Sequence, residues 1–313
     1  MKKVGFIGCP DLSSVARQAL TMAECDLAVW YPEDTARPKD NAQAVELSAL
    51  SATPLIVFSA PLNQCRPLAR RLGDVITGRH IVVHTVRGLE PETLKTVSDI
   101  LQEETPTQRL GFVTGPMRAE DLSAGRPGAG VCASLFPEVH DLVEEAMVSP
   151  AFRLYRSRDL VGAEISAAYG RVVSLMSGLV DGLNLGPSLQ ATLFARGLAE
   201  MSRFVIFRGG YERTTFGLSG CGNLFADTHT DGNVDFQIGR FLAEGPDDVA
   251  TSLVTEFGTP AEEILAMMNS FREVGSSAEL ELPLLDGVLA LINQGLPPQK
   301  VVQALMSLPT LYE

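Results

Sequence analysis

One stretch, residues 161–203, constrains the fold of this chain more than any other. Its apolar pattern predicts a long buried helix, a break at Gly186-Pro187, and a second helix after the break. The first helix is crowded with small side chains, which are Ala163, Ser166, Ala167, Ala168, Gly170, Ser174, Ser177 and Gly178. A helix of this composition is expected to pack closely against its neighbours in the interior of a domain.

Two charged residues interrupt this apolar helix. Glu164 and Arg171 share one face with Ala168 and Leu175, because the four positions are three or four residues apart. A buried charge is costly unless it is paired or faces a cleft. The helix therefore either lines an active-site cleft or is a core helix with an internal Glu164–Arg171 pair. The spacing alone favours the core helix.

Composition narrows the class of protein. A chain of 313 residues is long enough for two domains, and no apolar run is long enough to span a bilayer. The N-terminal MKKVGFIG leads directly into a strand without a signal-peptide pattern, so a cytoplasmic location is expected. The five cysteines are scattered and are predicted to be reduced thiols. A net charge of −13 argues against binding to nucleic acid or to anionic membranes.

The first half of the chain alternates strands and helices. Apolar runs predict strands at residues 3–8, 26–31, 54–59, 80–86, 110–114, 130–134 and 152–157. Helices are predicted between them at residues 13–23, 63–71 and 137–148, and residues 118–130 are expected to form a mobile loop beside a cleft. This alternation is typical of a doubly wound α/β domain, to which we assign residues 1–158.

The second half, residues 159–313, is predicted to be almost entirely helical. Besides the two helices of the central stretch, helices are expected near residues 246–255, 260–271, 283–293 and 301–308. We therefore expect a second domain that is helical.

The turn after the first strand is where a dinucleotide-binding fold carries the pattern G-x-G-x-x-G. Here residues 8–13 read GCPDLS, so Gly8 alone matches a glycine of that pattern. Pro10 has no backbone N–H to offer a pyrophosphate, and Asp11 adds a negative charge. Asp11 or Ser13 is better explained as a helix N-cap than as a phosphate contact.

The end of the second strand offers an acidic residue to a ribose hydroxyl, as such folds often do. Glu33 and Asp34 lie there, although each is better explained as a solvated loop charge. Farther on, residues 227–231 read DTHTD and include His229. Their spacing matches no closed metal site, so a polar loop is expected and no metal is predicted.

The central stretch also carries a family resemblance. VGAEISAAYGRVVSLMSGLVDGL and ARGLAEMSR, at residues 161–183 and 195–203, are similar without a gap to the start of the C-terminal domain of NAD-dependent glycerol-3-phosphate dehydrogenases. Other segments resemble the same family: Ala60-Pro61, Arg87-Gly88-Leu89-Glu90, Gly115-Pro116, residues 217–224 and residues 286–308. The resemblance implies a Rossmann-like domain at residues 1–158 and, at residues 159–313, a helical domain for substrate binding or dimerisation like that of 6-phosphogluconate dehydrogenase. It also implies a homodimer, and NAD or NADP as cofactor.

The resemblance also implies where the chemistry should lie. The catalytic lysine of the family falls on Gly170, the asparagine after it on Arg171, and the aspartate that poises the lysine on Asn223. A lysine that helps to hold the substrate falls on Arg87. The implied reaction interconverts dihydroxyacetone phosphate and glycerol 3-phosphate.

The segment that the resemblance implies as the binding site for the substrate phosphate is altered as well. Its arginine and asparagine fall on Val234 and Asp235. A carboxylate about 4 Å from a phosphate repels it by roughly 4 kcal/mol per charge pair at an effective dielectric constant of about 20. No residue of that segment supplies a compensating cation, so the segment is not expected to bind phosphate.

These changes favour a non-catalytic or repurposed family member with a binding, regulatory or scaffolding role, working with a protein partner. The alternative is an active NAD(P)-dependent dehydrogenase with a changed substrate and cofactor pose. Gly8 and Pro61 are its candidate cofactor contacts, and its candidate catalytic residues are Arg87, Glu164, Tyr169, Arg171, Asn223 and His229. An enzyme of another class is a third hypothesis, for which no nucleophile–base pair is found.

Overall fold

A computed structural model of the chain describes residues 2–8, 14–32, 43–228, 232–245 and 248–307. Its strands, in chain order, are β1 Lys3–Ile7, β2 Asp26–Trp30, β3 Gln43–Ala44, β4 Leu55–Phe58, β5 Ile81–His84, β6 Leu110–Thr114, β7 Gly128–Ala133 and β8 Phe152–Ser157. The helices among them are α1 Ser14–Met22, α2 Cys65–Gly73, α3 Val97–Glu104, α4 Ala119–Ser123 and α5 Pro137–Met147. Short 3-10 helices occupy Leu47–Ala52 and Leu62–Gln64.

The strands form one sheet in the order β3-β2-β1-β4-β5-β6-β7-β8. All neighbouring pairs are parallel except β6 and β7. One apolar core covers one face of the sheet with side chains of α1, α4 and α5, and a second covers the other face with side chains of α2 and α3. Because both faces are covered, β4 and β5 are continuous buried runs.

Two details of this half differ from the sequence prediction. Residues 118–130 were expected to form a mobile loop, but they include α4, whose Leu122 is buried in the sheet core, and the start of β7. Helix α3 was not predicted, although Thr96 and Asp99 form a reciprocal capping box at its start. That signature was visible in the sequence and was missed because the helix has only eight residues.

The second half is helical, as predicted. Its helices are α6 Leu160–Gly182, α7 Pro187–Phe207, α8 Glu212–Thr215, α9 Asn223–Thr228, α10 Val234–Ala243, α11 Val249–Phe257, α12 Thr259–Ser277, α13 Pro283–Gln294 and α14 Pro298–Met306. A single π-helical turn, Leu218–Gly222, precedes α9. The predicted domain division at residue 158 falls between the end of β8 and the start of α6, where Asp159 caps the helix.

Helix α6 lies at the centre of this half, and every residue from 162 to 180 is buried. Its small residues let α10 approach very closely. A Cβ added at Gly178 would collide with the carbonyl oxygen of Phe236, and one added at Gly239 would collide with that of Leu175. The crowding of small residues in the sequence is therefore explained by contact between the two helix backbones.

Within the described residues, no helix has both the length and the apolar character needed to cross a membrane. Cys65 and Cys132 are buried free thiols, whereas Cys25 and Cys221 are partly exposed. Burial raises the pKa of Cys132 to about 12. A buried thiol of this kind remains protonated at neutral pH and behaves as a small apolar side chain.

Candidate functional site

The sheet topology marks one crevice. Strand β1 lies between β2 and β4. The strands that directly follow it in sequence, β2 and β3, extend the sheet on one side, and β4 begins the other side. Ligands of doubly wound folds bind at such a switch point, beyond the carboxyl ends of the strands. Helices of the second half face this edge. Charged and polar side chains of these helices meet one arginine from the loop after β5, and we name this group the charged cluster: Arg87, Arg171, Asn223, Asp227, Asp235 and Glu263.

Arg87 follows β5 and reaches across to α9. Its Nη1 lies 2.6 Å from Oδ2 of Asp227, and its side chain is about one-third exposed at 32%. When the amide of Asn223 is oriented so that its nitrogen donates to the carbonyl oxygen of Gly115 at 2.8 Å, its oxygen accepts from Arg87 Nη1 at 3.1 Å. Arg87 and Asn223, two of the predicted site residues, are thus in contact across the two halves of the chain.

The π-helical turn before α9 holds Asn223 in place. Gly220, inside that turn, lies so close to Thr215 that an added Cβ would collide with the carbonyl oxygen of Thr215. Single π-turns interrupt regular helical hydrogen bonding and often occur at functional sites. Here the turn directs the start of α9 towards Arg87.

Arg171 extends from α6 to α10 and binds Asp235. Its Nε lies 3.2 and 3.0 Å from the two carboxylate oxygens, and its Nη2 donates to Oδ1 at 3.1 Å. Both side chains are buried, with exposed fractions of 8% and 2%. Burial by itself would lower the pKa of Arg171, but Asp235 outweighs it, so the pKa lies above its ordinary value.

This pair corrects two expectations. The pairing of Arg171 with Glu164 inside α6 is wrong, because each of these residues has a partner on another element. Asp235 was also expected to lack a compensating cation, and its own segment supplies none, but Arg171 neutralises it from α6. The charge at position 235 is therefore not free to repel an anion by the full amount estimated from the sequence.

Glu263, on α12, was not identified from the sequence. Its Oε1 accepts from the backbone N–H of Leu62 at 2.6 Å, immediately after Pro61 and the end of β4. Its Oε2 lies 3.9 Å from Arg171 Nη1, and 15% of the side chain is exposed. Burial raises the pKa of Glu263 despite the nearby arginine. Nothing in its sequence context separates it from the exposed Glu262 beside it.

Gly170, at the family's lysine position, is buried in α6. A Cβ added there would meet only the Cε of Met201, at an ordinary distance of 3.6 Å. The glycine is therefore not required by packing, in contrast to Gly178 on the same helix. The chain lacks an ammonium group at this position even though the helix could carry a Cβ there.

Glu164, a candidate catalytic residue, is not part of the charged cluster. Its Oε1 accepts from the N–H of Ser98 at 3.0 Å and lies 3.0 Å from Nε2 of His84. Both Glu164 and His84 are buried, and the ring of His84 stacks on Phe112. These contacts attach α6 to β5 and to the start of α3, which is a structural role.

Tyr169, another candidate, lies in the core of the helical half. Its hydroxyl donates to Glu200 at 2.8 Å, and Glu200 also accepts from the N–H of Leu284 at 2.6 Å, at the start of α13. Burial raises the pKa of Glu200 to about 7. A fully buried tyrosine bound to a buried carboxyl group is placed for structure and is not available to a substrate.

The two candidate cofactor contacts, Gly8 and Pro61, follow the carboxyl ends of the strands that flank the crevice. Gly8 follows β1, and its N–H donates to the carbonyl oxygen of Trp30. A Cβ at Gly8 would make only ordinary contacts with Phe6 and Tyr31, so the absence of a side chain is not imposed by packing and suits close approach of a ligand. Pro61 precedes the 3-10 helix after β4.

Several predicted positions lie outside the described residues. They include the remainder of the glycine-poor turn, residues 9–13, the acidic residues Glu33 and Asp34, and the candidate His229. Asp227, from the polar segment that ends at residue 231, binds Arg87. Over the described parts of the chain, no group of three or more histidine, cysteine or acidic side chains is placed to hold a metal ion.

The fold and the site together define a two-domain protein of the dehydrogenase type, with a Rossmann-like sheet whose carboxyl edge faces a helical domain. Comparison with protein-family models gives two matches, to the NAD-dependent glycerol-3-phosphate dehydrogenase N-terminus over residues 34–139 and to its C-terminus over residues 159–303. The chain belongs to the NAD-dependent glycerol-3-phosphate dehydrogenase family. The N-terminal match begins beyond the turn at residues 8–13, which is where the glycine pattern is incomplete.

Two relatives illustrate the match in sequence. The chain is 34% identical to a glycerol-3-phosphate dehydrogenase [NAD(P)+] of Sinorhizobium fredii, over 86% of this chain and 79% of the relative. It is 30% identical to the protein of the same name from Anaeromyxobacter dehalogenans, over 86% of this chain and 81% of the relative.

A solved structure agrees in fold. A glycerol-3-phosphate dehydrogenase of Coxiella burnetii superposes with a TM-score of 0.87 at 22% identity, covering 98% of this chain and 99% of the other. The predicted fold class, a Rossmann-like domain followed by a helical domain, is confirmed.

Proposed function

We propose that this chain is an NAD(P)-linked oxidoreductase that acts on the CH–OH group of a small substrate, with a substrate site that differs from that of glycerol-3-phosphate dehydrogenases. The relatives are named as enzymes along most of the length of this chain, which supports an oxidoreductase. The observation that carries the proposed difference is the charged cluster, because both of its arginines are already bound to carboxylates.

A nicotinamide cofactor, when bound, supplies the hydride. Gly8 and Pro61 would border it at the crevice between β1 and β4. Arg87 and Asn223 contact each other, and their remaining N–H groups can donate hydrogen bonds to a substrate oxygen. These residues orient the substrate but do not exchange a proton with it, because a guanidinium group remains protonated.

Reduction of a carbonyl group also requires a proton at the carbonyl oxygen, and a positioned acid typically contributes roughly 10²- to 10⁴-fold. Gly170 cannot supply it. Glu263 is the carboxyl group of the charged cluster that is partly exposed and not directly bound to an arginine, since its Oε2 lies 3.9 Å from Arg171 Nη1. Burial raises its pKa. In its ionised form it would accept the hydroxyl proton when an alcohol is oxidised, and it would return that proton when a carbonyl group is reduced.

The second candidate is a non-catalytic family member with a binding, regulatory or scaffolding role, which the sequence favoured. Gly170 supports it, since the implied lysine is missing at a position where packing would permit a side chain. The comparisons contain nothing that indicates such a role, so it stays a prediction. A homodimer, a cytoplasmic location, a protein partner, and a lack of affinity for nucleic acid and membranes are likewise proposals, supported by the resemblance and the acidic composition.

One experiment separates the two candidates. The purified chain is titrated with NADH and NADPH by fluorescence, and then assayed for nucleotide oxidation with a panel of small hydroxyketones and aldehydes. An oxidoreductase should bind one nucleotide and turn over at least one substrate, and Glu263→Gln should reduce kcat by about 10²-fold or more. Glu262→Gln, a change of an exposed neighbouring carboxylate, is the matched control.

Nucleotide binding without turnover, or the absence of both, would favour the non-catalytic role. Turnover that is unaffected by Glu263→Gln would leave the oxidoreductase intact but would reject Glu263 as its acid. The double variant Gly170→Lys/Asn223→Asp tests the family chemistry directly, because it restores the two implied residues in a helix that has room for the lysine Cβ.

A further inference from the structure

The charged cluster contains two guanidinium groups and three carboxylates. Asp227 binds Arg87, and Asp235 binds Arg171 through several hydrogen bonds. Glu263 is left without a cation of its own, since it lies 3.9 Å from an arginine that is already bound to Asp235. When all five groups are ionised, the cluster has one surplus negative charge, and that charge lies on Glu263.

The surplus charge faces the cleft. Glu263 is held at the backbone N–H of Leu62, at the carboxyl edge of the sheet and beside the switch-point crevice. An N–H at such an edge would otherwise be free to bind an incoming anion. The Glu263 carboxylate therefore occupies an anion-binding group of the protein and also repels a second anion.

We infer that the cleft selects a substrate that carries no phosphate or other anionic group: a small hydroxy-carbonyl compound that is uncharged or positively charged at the end facing Glu263 and Arg171. This inference rests on the proposed function and specifies its substrate class. A phosphate monoester carries between one and two negative charges at neutral pH and would face an unneutralised carboxylate in a partly buried site. The same surroundings impose no electrostatic cost on a hydroxyl group and attract an ammonium group.

The two arginine pairs do not reverse this preference. The positive charge of Arg171 is already balanced by Asp235, a carboxylate that is 2% exposed. Arg87 is more exposed, but its charge is balanced by Asp227 at 2.6 Å. An anionic ligand that shared either arginine would therefore compete with a carboxylate for a single positive charge, whereas an uncharged substrate oxygen could use the remaining N–H groups without that competition.

The test compares three ligands with nearly the same carbon skeleton: dihydroxyacetone phosphate, dihydroxyacetone, and 1-amino-3-hydroxyacetone. Binding of each to the full chain is measured by ligand-observed NMR without nucleotide, so that the result does not depend on turnover. We expect at least one phosphate-free ligand to bind at least about tenfold more tightly than dihydroxyacetone phosphate. Glu263→Gln should reduce this ratio to about threefold or less, whereas Glu262→Gln should leave it unchanged.

Two results would overturn the inference: tighter binding of dihydroxyacetone phosphate than of either other ligand, or binding of none of the three. The two proposals fail separately. A chain that reduces dihydroxyacetone phosphate with NADH would support the oxidoreductase and reject the substrate class. A chain that prefers the phosphate-free ligands but shows no turnover with any substrate would support the substrate class and reject the oxidoreductase.

Discussion

The buried pair between Arg171 and Asp235 gives the sharpest quantitative prediction. Replacing either residue by asparagine removes one charge and leaves the other in a site that is less than one-tenth exposed. Removing one partner of a buried ion pair typically costs about 3–5 kcal/mol, since the remaining charge has lost its compensation. We expect both single variants to be destabilised on this scale.

The two single variants should not be equal. In Asp235→Asn, Arg171 keeps Glu263 at 3.9 Å and the carbonyl oxygen of Arg87 at 3.4 Å. In Arg171→Asn, Asp235 keeps mainly its place in the first turn of α10, where a carboxylate typically gains about 0.3–1 kcal/mol. Arg171→Asn should therefore be the more destabilising of the two changes.

The double variant Arg171→Asn/Asp235→Asn should be much closer to the wild type than the sum of the single variants. It removes both charges together and leaves two amides that can bind each other. We expect a coupling energy of at least about 2 kcal/mol in the double-mutant cycle. Asparagine is also what the family resemblance implies at both positions, so the double variant recreates the implied neutral arrangement.

Urea unfolding followed by circular dichroism at 222 nm measures these differences through the helices. Asp181→Asn is the matched control, because Asp181 and Arg240 form an ion pair between the same two helices with both side chains 45% exposed. That change should cost less than about 1 kcal/mol. Additive single effects, or a loss below about 1 kcal/mol for Arg171→Asn, would refute the reasoning.

Three further predictions concern stability. Burial raises the pKa of Glu200 from 4.5 to about 7, so the contribution of this group to stability is fully present below pH 4.5 and is lost as pH rises through 7. Relative to the wild type, Glu200→Gln should be more stable by up to about 3 kcal/mol at pH 8 and by almost nothing at pH 4.5, as measured by thermal unfolding at both pH values. Gly170→Ala should stabilise the chain by about 0.5–1 kcal/mol, whereas Gly178→Ala should destabilise it by about 2 kcal/mol or more. If the urea midpoints of the two variants do not shift in opposite directions, the packing described for α6 is contradicted. Glu164→Gln should destabilise the chain by about 1–3 kcal/mol by weakening the contact with His84. It should leave the binding of dihydroxyacetone phosphate, dihydroxyacetone and 1-amino-3-hydroxyacetone unchanged by NMR, and a selective loss of binding would show that Glu164 belongs to the ligand site.

Much of the fold could be predicted because it depends on local pattern. Apolar runs located all seven of the longer strands, and the small residues of α6 signalled a closely packed central helix. The two-residue β3 and the short α3 were missed because each buries too few residues to produce a clear period.

The site was less predictable, because its contacts join residues far apart in the chain. The spacing within α6 suggested that Glu164 and Arg171 pair with each other, but Arg171 binds a residue 64 positions away and Glu164 binds one 66 positions away. Glu263 has no sequence signal at all, since its place in the site comes from backbone hydrogen bonds to the turn after β4, about 200 positions away in the chain. Family resemblance did identify positions 87 and 223, which the structure brings into contact.

The glycines that let α6 and α10 touch have an evolutionary consequence. Gly178 lies against Phe236 and Gly239 against Leu175, so neither helix can slide along the other without a clash. Positions 171 and 235 are thereby fixed opposite each other. A charge acquired at only one of these positions would be buried without a partner and would destabilise the fold. We therefore expect that family members with a charge at one position also carry the opposite charge at the other.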